Sequence, residues 1–179
     1  TVLAAYESWC TASVNDPDPG FWGHWPRYYA EMPVKQDWVQ AAAKRCQTAV
    51  VVIGRSAGED RENTLKKGSF YLTNKEKALL DAVTTAFQKV VLVLNIGSIM
   101  DFAEIDAYGD KISAILLAWQ LGMESGNAVA DVLTGQVNPS GRLTDTIAKT
   151  YADYPAQNFG NKAENRYTED IFVGYRYFE

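Results

Sequence analysis

One short stretch of the chain concentrates residue types that can carry acid–base chemistry. Residues 54–63 read Gly-Arg-Ser-Ala-Gly-Glu-Asp-Arg-Glu-Asn, so three carboxylates stand beside two guanidiniums. Burial and neighbouring charges can raise the pKa of one carboxyl group and lower that of another, which is what general acid and base catalysis requires. The alternative is a solvated loop whose charges pair with each other, and the residue types alone favour that alternative.

The residues before this stretch predict where it lies in the fold. Residues 49–54 form a continuous apolar, largely β-branched run, which is typical of a strand buried on both faces of a parallel sheet. Ligands of open α/β sheets bind at the carboxyl ends of the strands, so a site is expected directly after this run. A phosphate site fits poorly, because the stretch lacks the GxGxxG and Walker lysine patterns and its carboxylates would repel phosphate.

Residues 34–150 alternate between helical and strand patterns. Apolar spacing predicts helices over 35–47, 73–87 and 122–133, the second opened by a capping box from Thr73 to Glu76. Apolar runs predict two more strands, at 89–97 and 112–119. This order predicts an α/β fold, a three-layer αβα sandwich with a mainly parallel sheet. The residues expected to face the core are Leu79, Leu80, Val83 and Phe87 in the second helix and Val129, Val132 and Leu133 in the third.

The two ends of the chain differ from this central part. We expect residues 1–160 to form the sandwich domain, beginning with an aromatic, loop-rich segment over 1–33 that opens with a helix over 1–12. We expect residues 161–179 to form an extended carboxyl-terminal arm, since the alternation over 171–178 suggests an edge strand.

The aromatic first segment offers a second candidate binding surface. Trp22 and Trp25 could stack on sugar rings, or they could form a small satellite core under a long loop. The lone histidine, His24, has no evident partner, and Ser98 does not stand in a GxSxG elbow, so a nucleophilic triad is not indicated. A non-catalytic carbohydrate-binding or interaction module is therefore the alternative to an enzyme.

The composition of the chain argues against several classes of partner and cofactor. The net charge of −5 argues against nucleic acid and anionic membranes as partners, and no apolar run is long enough to cross a bilayer. Two cysteines and one histidine without zinc spacing predict neither a disulfide framework nor a metal site, and no cofactor is expected.

Three stretches, in order, resemble the C-terminal domain of the family 3 glycoside hydrolases. Residues 48–83 resemble the family's strand followed by a Glu-Gly-x-Asp-Arg loop and a helix. Residues 115–143 resemble its Ala-Trp-x-x-Gly-x-Glu-x-Gly stretch and its Asn-Pro-Ser-Gly-Arg-Leu sequence. Residues 167–178 (YTEDIFVGYRYF) are similar to the stretch that leads into a fibronectin type III-like domain.

The resemblance implies a retaining, β-glucosidase-like enzyme acting on β-glucosides or short oligosaccharides. It implies an aspartate nucleophile on a TIM barrel, which has no match here, and an acid/base glutamate on this domain, whose matching position is Glu59. Such a residue protonates the departing glycosidic oxygen and then activates water. Asp60 and Arg61 match the family's Asp-Arg pair, which implies a loop-positioning or substrate-proximal role.

The chain also departs from the family pattern. The spacer between the glutamate and the Asp-Arg pair is missing, which leaves Asp60 and Glu62 as alternatives to Glu59. The family's first strand and the barrel's Lys-His motif are also unmatched. The resemblance implies that the chain is inactive alone, with the barrel and the fibronectin type III-like domain of the same polypeptide as its partners. It implies a cytoplasmic, bacterial-type enzyme and leaves a homodimer open.

Overall fold

The computed structural model describes residues 32–55, 63–155, 163–164 and 166–179. In these residues three strands form one parallel sheet in the order β1-β2-β3. The strands are β1 (Thr48–Gly54), β2 (Lys89–Asn95) and β3 (Ala114–Leu117). The α/β class and the parallel sheet are therefore confirmed.

Helices precede, connect and follow the strands. The described α-helices are α1 (Gln36–Ala43), α2 (Asn74–Ala86), α3 (Ala103–Asp106), α4 (Ser125–Leu133) and α5 (Tyr175–Phe178). Two single 3-10 turns lie at Gly109–Lys111 and Tyr151–Asp153. Helix α2 is the connection between the paired strands β1 and β2, as expected for a parallel pair.

The core lies between α2 and one face of the sheet. Alternate residues of a strand point to opposite faces, and the covered face carries the apolar residues that pack against the helix. The largest residues of the core come from the strands, from α2 and α3 and from the connections, and all are nearly inaccessible to solvent: Ile53, Leu72, Leu80, Val90, Leu92, Leu94, Ile96, Met100 and Ile105.

The other face of β1 corrects a prediction. Burial on both faces was expected for this strand, but Val50 is 50% exposed and Val52 is 60% exposed. Val51 and Ile53, which point the other way, are buried. The apolar run therefore reflects one covered face and a second face that remains open to solvent at β1.

The start of α2 is formed as its sequence predicts. The Thr73 hydroxyl accepts a hydrogen bond from the Glu76 amide at 3.0 Å, and the Glu76 carboxylate accepts one from the Thr73 amide at 2.7 Å. This capping box satisfies two amides that the first turn leaves free. Leu80 and Val83 are buried, as predicted.

The carboxyl-terminal part differs more from the predictions. Helix α4 exists, but none of its residues is fully buried, and Leu133 is 38% exposed. The predicted extended strand over 171–178 is wrong, because Tyr177 and Phe178 donate their amides to the Gly174 carbonyl and form a helical turn. The predicted helix over 1–12 lies outside the described residues, and the domain division stays a prediction.

No helix in the described ranges has both the length and the apolarity to span a bilayer.

The covered face of β2 should dominate the stability of the fold. Leu92 is fully buried in the central strand, so Leu92→Ala should lower the free energy of unfolding by about 3 kcal/mol through lost burial and an unfilled cavity. Val52→Ala on the open face should change it by no more than about 0.5 kcal/mol. Urea unfolding measures both; equal losses would contradict the assignment of the two faces.

Candidate active site

The carboxyl ends of the three strands meet at one edge of the sheet, where there is an open cleft. Its volume is about 510 Å³, and the described residues that line it are Gly54, Arg55, Asn95, Gln120, Leu121 and Ser125. Gly54 ends β1 directly opposite Asn95, which ends β2. The lining offers guanidinium, amide and hydroxyl groups, which suit a ligand rich in hydroxyl groups such as a sugar.

The residues predicted to carry the chemistry fall outside the described ranges. Glu59, Asp60 and Arg61 belong to residues 56–62, and Trp22 and Trp25 belong to residues 1–31, none of which is described. Their roles therefore stay predictions. The structure does describe Arg55 and Asn63, the residues directly before and after 56–62.

Arg55 is held by a fork of hydrogen bonds and an ion pair. Its guanidinium makes a two-pronged pair with the Glu76 carboxylate, one prong of which measures 2.7 Å from Nη2 to Oε2. Its Nε donates to the Ser69 carbonyl at 3.2 Å, and its Nη1 donates to the Gly54 carbonyl at 2.9 Å. The side chains of Arg55 and Glu76 are only 8% and 12% exposed, so the pair is shielded from water and salt.

The charge state of Glu76 excludes it as a proton donor at neutral pH. Burial raises the pKa of its carboxyl group, but the hydrogen bond from Arg55, the bonds with Thr73 and the positive charge of Arg55 together outweigh burial. The net effect lowers the pKa of Glu76 below its ordinary value. Glu76 is therefore an anion at neutral pH, where it forms the ion pair with Arg55.

Asn63 is anchored from both ends of its side-chain amide. Its Nδ2 donates to the Ile99 carbonyl at 2.8 Å, in the connection that leaves the carboxyl end of β2. Its Oδ1 accepts from the Ser69 hydroxyl at 2.6 Å. Since the Ser69 carbonyl also accepts from Arg55, Ser69 bonds to both Arg55 and Asn63, the described residues on either side of 56–62.

Sequence reasoning missed several of these groups. It named Arg55 only as a charge near the carboxylates, treated Glu76 only as a helix cap, and gave no role to Asn63, Ser69 or Asn95. A usable signal existed for Asn95, because it is the first polar residue after the buried run of β2. Within the described ranges, no group of three or more His, Cys, Asp or Glu residues could hold a metal ion.

The Arg55–Glu76 pair should make stability depend on pH. Glu76→Gln leaves a buried guanidinium half-paired and should cost about 3 kcal/mol at pH 7. Because the pKa of Glu76 is lowered by folding, its contribution is present above the ordinary glutamate pKa of about 4.3 and is lost as pH falls through the lower folded value.

The difference in unfolding free energy between wild type and Glu76→Gln should therefore shrink from pH 7 towards pH 3. Leu92→Ala is the control, since no titrating group is involved and its loss should stay constant. Urea unfolding at both pH values measures this. A Glu76→Gln loss that is the same at both would show that the pair does not titrate as described.

Comparison with known proteins agrees with this architecture. The family model of the glycosyl hydrolase family 3 C-terminal domain matches residues 11–175. A β-glucosidase of Ruminococcus albus is 44% identical over 99% of the chain, and β-glucosidase A of Butyrivibrio fibrisolvens is 38% identical over 86%. The chain spans 19% and 21% of these two relatives, about a fifth of their length.

Solved structures give the same result. A β-glucosidase from Paenibacillus barengoltzii superposes with a TM-score of 0.85 at 41% identity, over 99% of this chain and 20% of that one. β-Glucosidase 3B from Thermotoga neapolitana, in complex with glucose, gives a TM-score of 0.80 at 34% identity, over 99% and 26%. The chain therefore belongs to glycoside hydrolase family 3, as part of its C-terminal domain.

Proposed function

We propose that this chain supplies the acid/base carboxylate of a retaining β-glucosidase, and that the aspartate nucleophile lies on a TIM barrel elsewhere in the same polypeptide. The substrates would be β-glucosides or short oligosaccharides. The observation that carries the proposal is a carboxylate-rich segment that follows the carboxyl end of β1, in a chain that belongs to a family of glycosidases.

Glu59 is the residue to which we assign this role. In the first step the aspartate attacks the anomeric carbon while Glu59 gives its proton to the departing glycosidic oxygen, which produces a glycosyl-enzyme and a free alcohol. In the second step the Glu59 carboxylate takes a proton from water as the water attacks the same carbon, which breaks the ester bond to the aspartate and releases the free sugar and the aspartate carboxylate. The two carboxyl groups of such enzymes stand roughly 5–5.5 Å apart, so Glu59 would act across a domain interface.

The described neighbours of the segment support this assignment. Arg55 follows β1 directly and lines the cleft, and Asn63 bonds to the connection that leaves β2. The residues on either side of 56–62 therefore belong to the sheet edge where α/β proteins bind ligands. Asn95 and Gln120 add amide groups to the same cleft, which could bind sugar hydroxyls.

The neighbouring charges have supporting roles in the proposal. Asp60 and Arg61 would position the segment or contact the substrate. The isolated chain would be inactive, because a retaining mechanism needs two carboxylates and the family's nucleophile motif has no match in this sequence.

The role of Glu59 can be tested with leaving groups of different acidity in the full-length protein. A dinitrophenyl β-glucoside needs no protonation to depart, so Glu59→Gln should leave its glycosylation step nearly unchanged. Phenyl β-glucoside needs the proton, and its kcat/KM should fall by about 10²–10⁴. Azide, an anionic nucleophile that needs no base, should restore turnover of the dinitrophenyl substrate and yield a β-glucosyl azide.

Asp60→Asn and Glu62→Gln are the matched controls, because each removes one charge from the same segment. In each control variant, kcat/KM should change by the same factor for the two substrates. Azide should not increase the turnover of either variant. Azide rescue in either of them, and not in Glu59→Gln, would move the acid/base role to that residue. If kcat/KM depends on the leaving group in none of the three variants, Glu59→Gln, Asp60→Asn and Glu62→Gln, the proposal is contradicted.

A further inference from the structure

The ion pair beside the cleft is more extensive than a helix cap requires. Arg55 stands directly after β1, and its guanidinium reaches the end of that strand, the Ser69 and Tyr71 carbonyls, and the first turn of α2. The bond to Tyr71 is long, at 3.5 Å, whereas those to Gly54 and Glu76 are 2.9 and 2.7 Å. One side chain therefore links the strand, the connection and the helix around the start of the 56–62 segment.

Stability alone is a weak reason for such a pair. Removing two charges from water costs as much as their attraction returns, so buried ion pairs add little to the net free energy of folding. The bidentate pair does impose a definite geometry, because two parallel hydrogen bonds hold the planes of the guanidinium and the carboxylate in line. What the pair contributes in addition is a defined placement of the backbone at residue 55.

We propose that the Arg55–Glu76 pair is a positioning device for the acid/base residue of the 56–62 segment, an inference that rests on the proposed function. Arg55 lines the cleft, whereas Glu76 is not among the described residues that line it. Glu76 therefore acts through Arg55 and is a positioning residue, and changing it tests the device without removing a group from the cleft.

The chemical consequence is selective. A general acid must lie within about 2.6–3.2 Å of the oxygen that it protonates, and a displacement of about 1 Å can cost 10²-fold in rate. Loss of the pair should therefore slow the steps in which a proton moves. Steps that need no proton transfer, such as departure of dinitrophenolate, should be nearly unaffected.

The test compares Glu76→Gln with Thr73→Ala in the full-length protein. Thr73 is the other half of the capping box, so its change weakens the same helix start but keeps both charges of the pair. The backbone bond from residue 73 to Glu76 is also kept. Measured quantities are the melting temperature and kcat/KM for aryl β-glucosides of graded leaving-group pKa.

Glu76→Gln should lower kcat/KM about 10- to 100-fold for phenyl β-glucoside and less than about threefold for the dinitrophenyl substrate. Thr73→Ala should change kcat/KM by the same factor for both substrates. If Glu76→Gln fails to fold, Glu76→Asp keeps the charge but shortens the fork, and a smaller loss confined to the phenyl substrate is expected.

Equal losses on both substrates in the folded Glu76 variant, or a leaving-group dependence in Thr73→Ala as large as in Glu76→Gln, would overturn the inference. Glu59→Gln distinguishes this from failure of the proposed function. A steep leaving-group dependence in Glu59→Gln with none in the Glu76 variant refutes only the positioning device. No dependence in Glu59→Gln, Asp60→Asn and Glu62→Gln refutes the proposed function itself.

Discussion

The parallel pairing of β1 with β2 is the constraint on which the cleft edge depends. Its register places Gly54 opposite Asn95, and the Arg55 amide extends the pairing by donating to the Asn95 carbonyl at 3.0 Å. Arg55 is thus held from two sides, by the sheet through its main-chain amide and by α2 through its guanidinium. A slip of one residue in the register would turn every side chain of β1 to the other face, burying Val50 and Val52 in place of Val51 and Ile53.

Glu76 links α2 to this edge of the sheet because its carboxylate both caps the helix and pairs with Arg55. Its Oε2 accepts both from the Thr73 amide and from the Arg55 guanidinium, each at 2.7 Å. A carboxylate in the first turn is also favoured by the helix dipole. Leu80 and Val83 hold the following turns against the sheet, so the carboxylate is presented from a helix that cannot shift without opening the core.

Local patterns predicted the elements well, and long-range contacts account for the failures. The capping box and the runs of β1 and β2 are contiguous signals, and the helix start and the two strands that they predict are present, although β1 is covered on one face only. The Arg55–Glu76 pair joins residues 21 positions apart, and capping had already explained Glu76, so the sequence offered no reason to seek a second partner. The alternation over 171–178 suggested a strand, but alternation shows only which residues are apolar and not which residues they pack against. In the structure Phe178 packs on Tyr154, with ring centroids 6.3 Å apart.

That ring contact belongs to a row of aromatic rings that reaches Phe70, the residue after Ser69. Phe70 packs on Tyr151 at 5.9 Å, and Tyr151 packs on Tyr154 at 6.4 Å, so aromatic rings connect α5 to the connection that carries Ser69. Edge-to-face and tilted ring contacts tolerate shifts in angle and distance, whereas a forked ion pair does not. The row can therefore keep the carboxyl-terminal segment attached without fixing the geometry at the cleft, whereas in our proposal the charged pair supplies the precision that proton transfer requires.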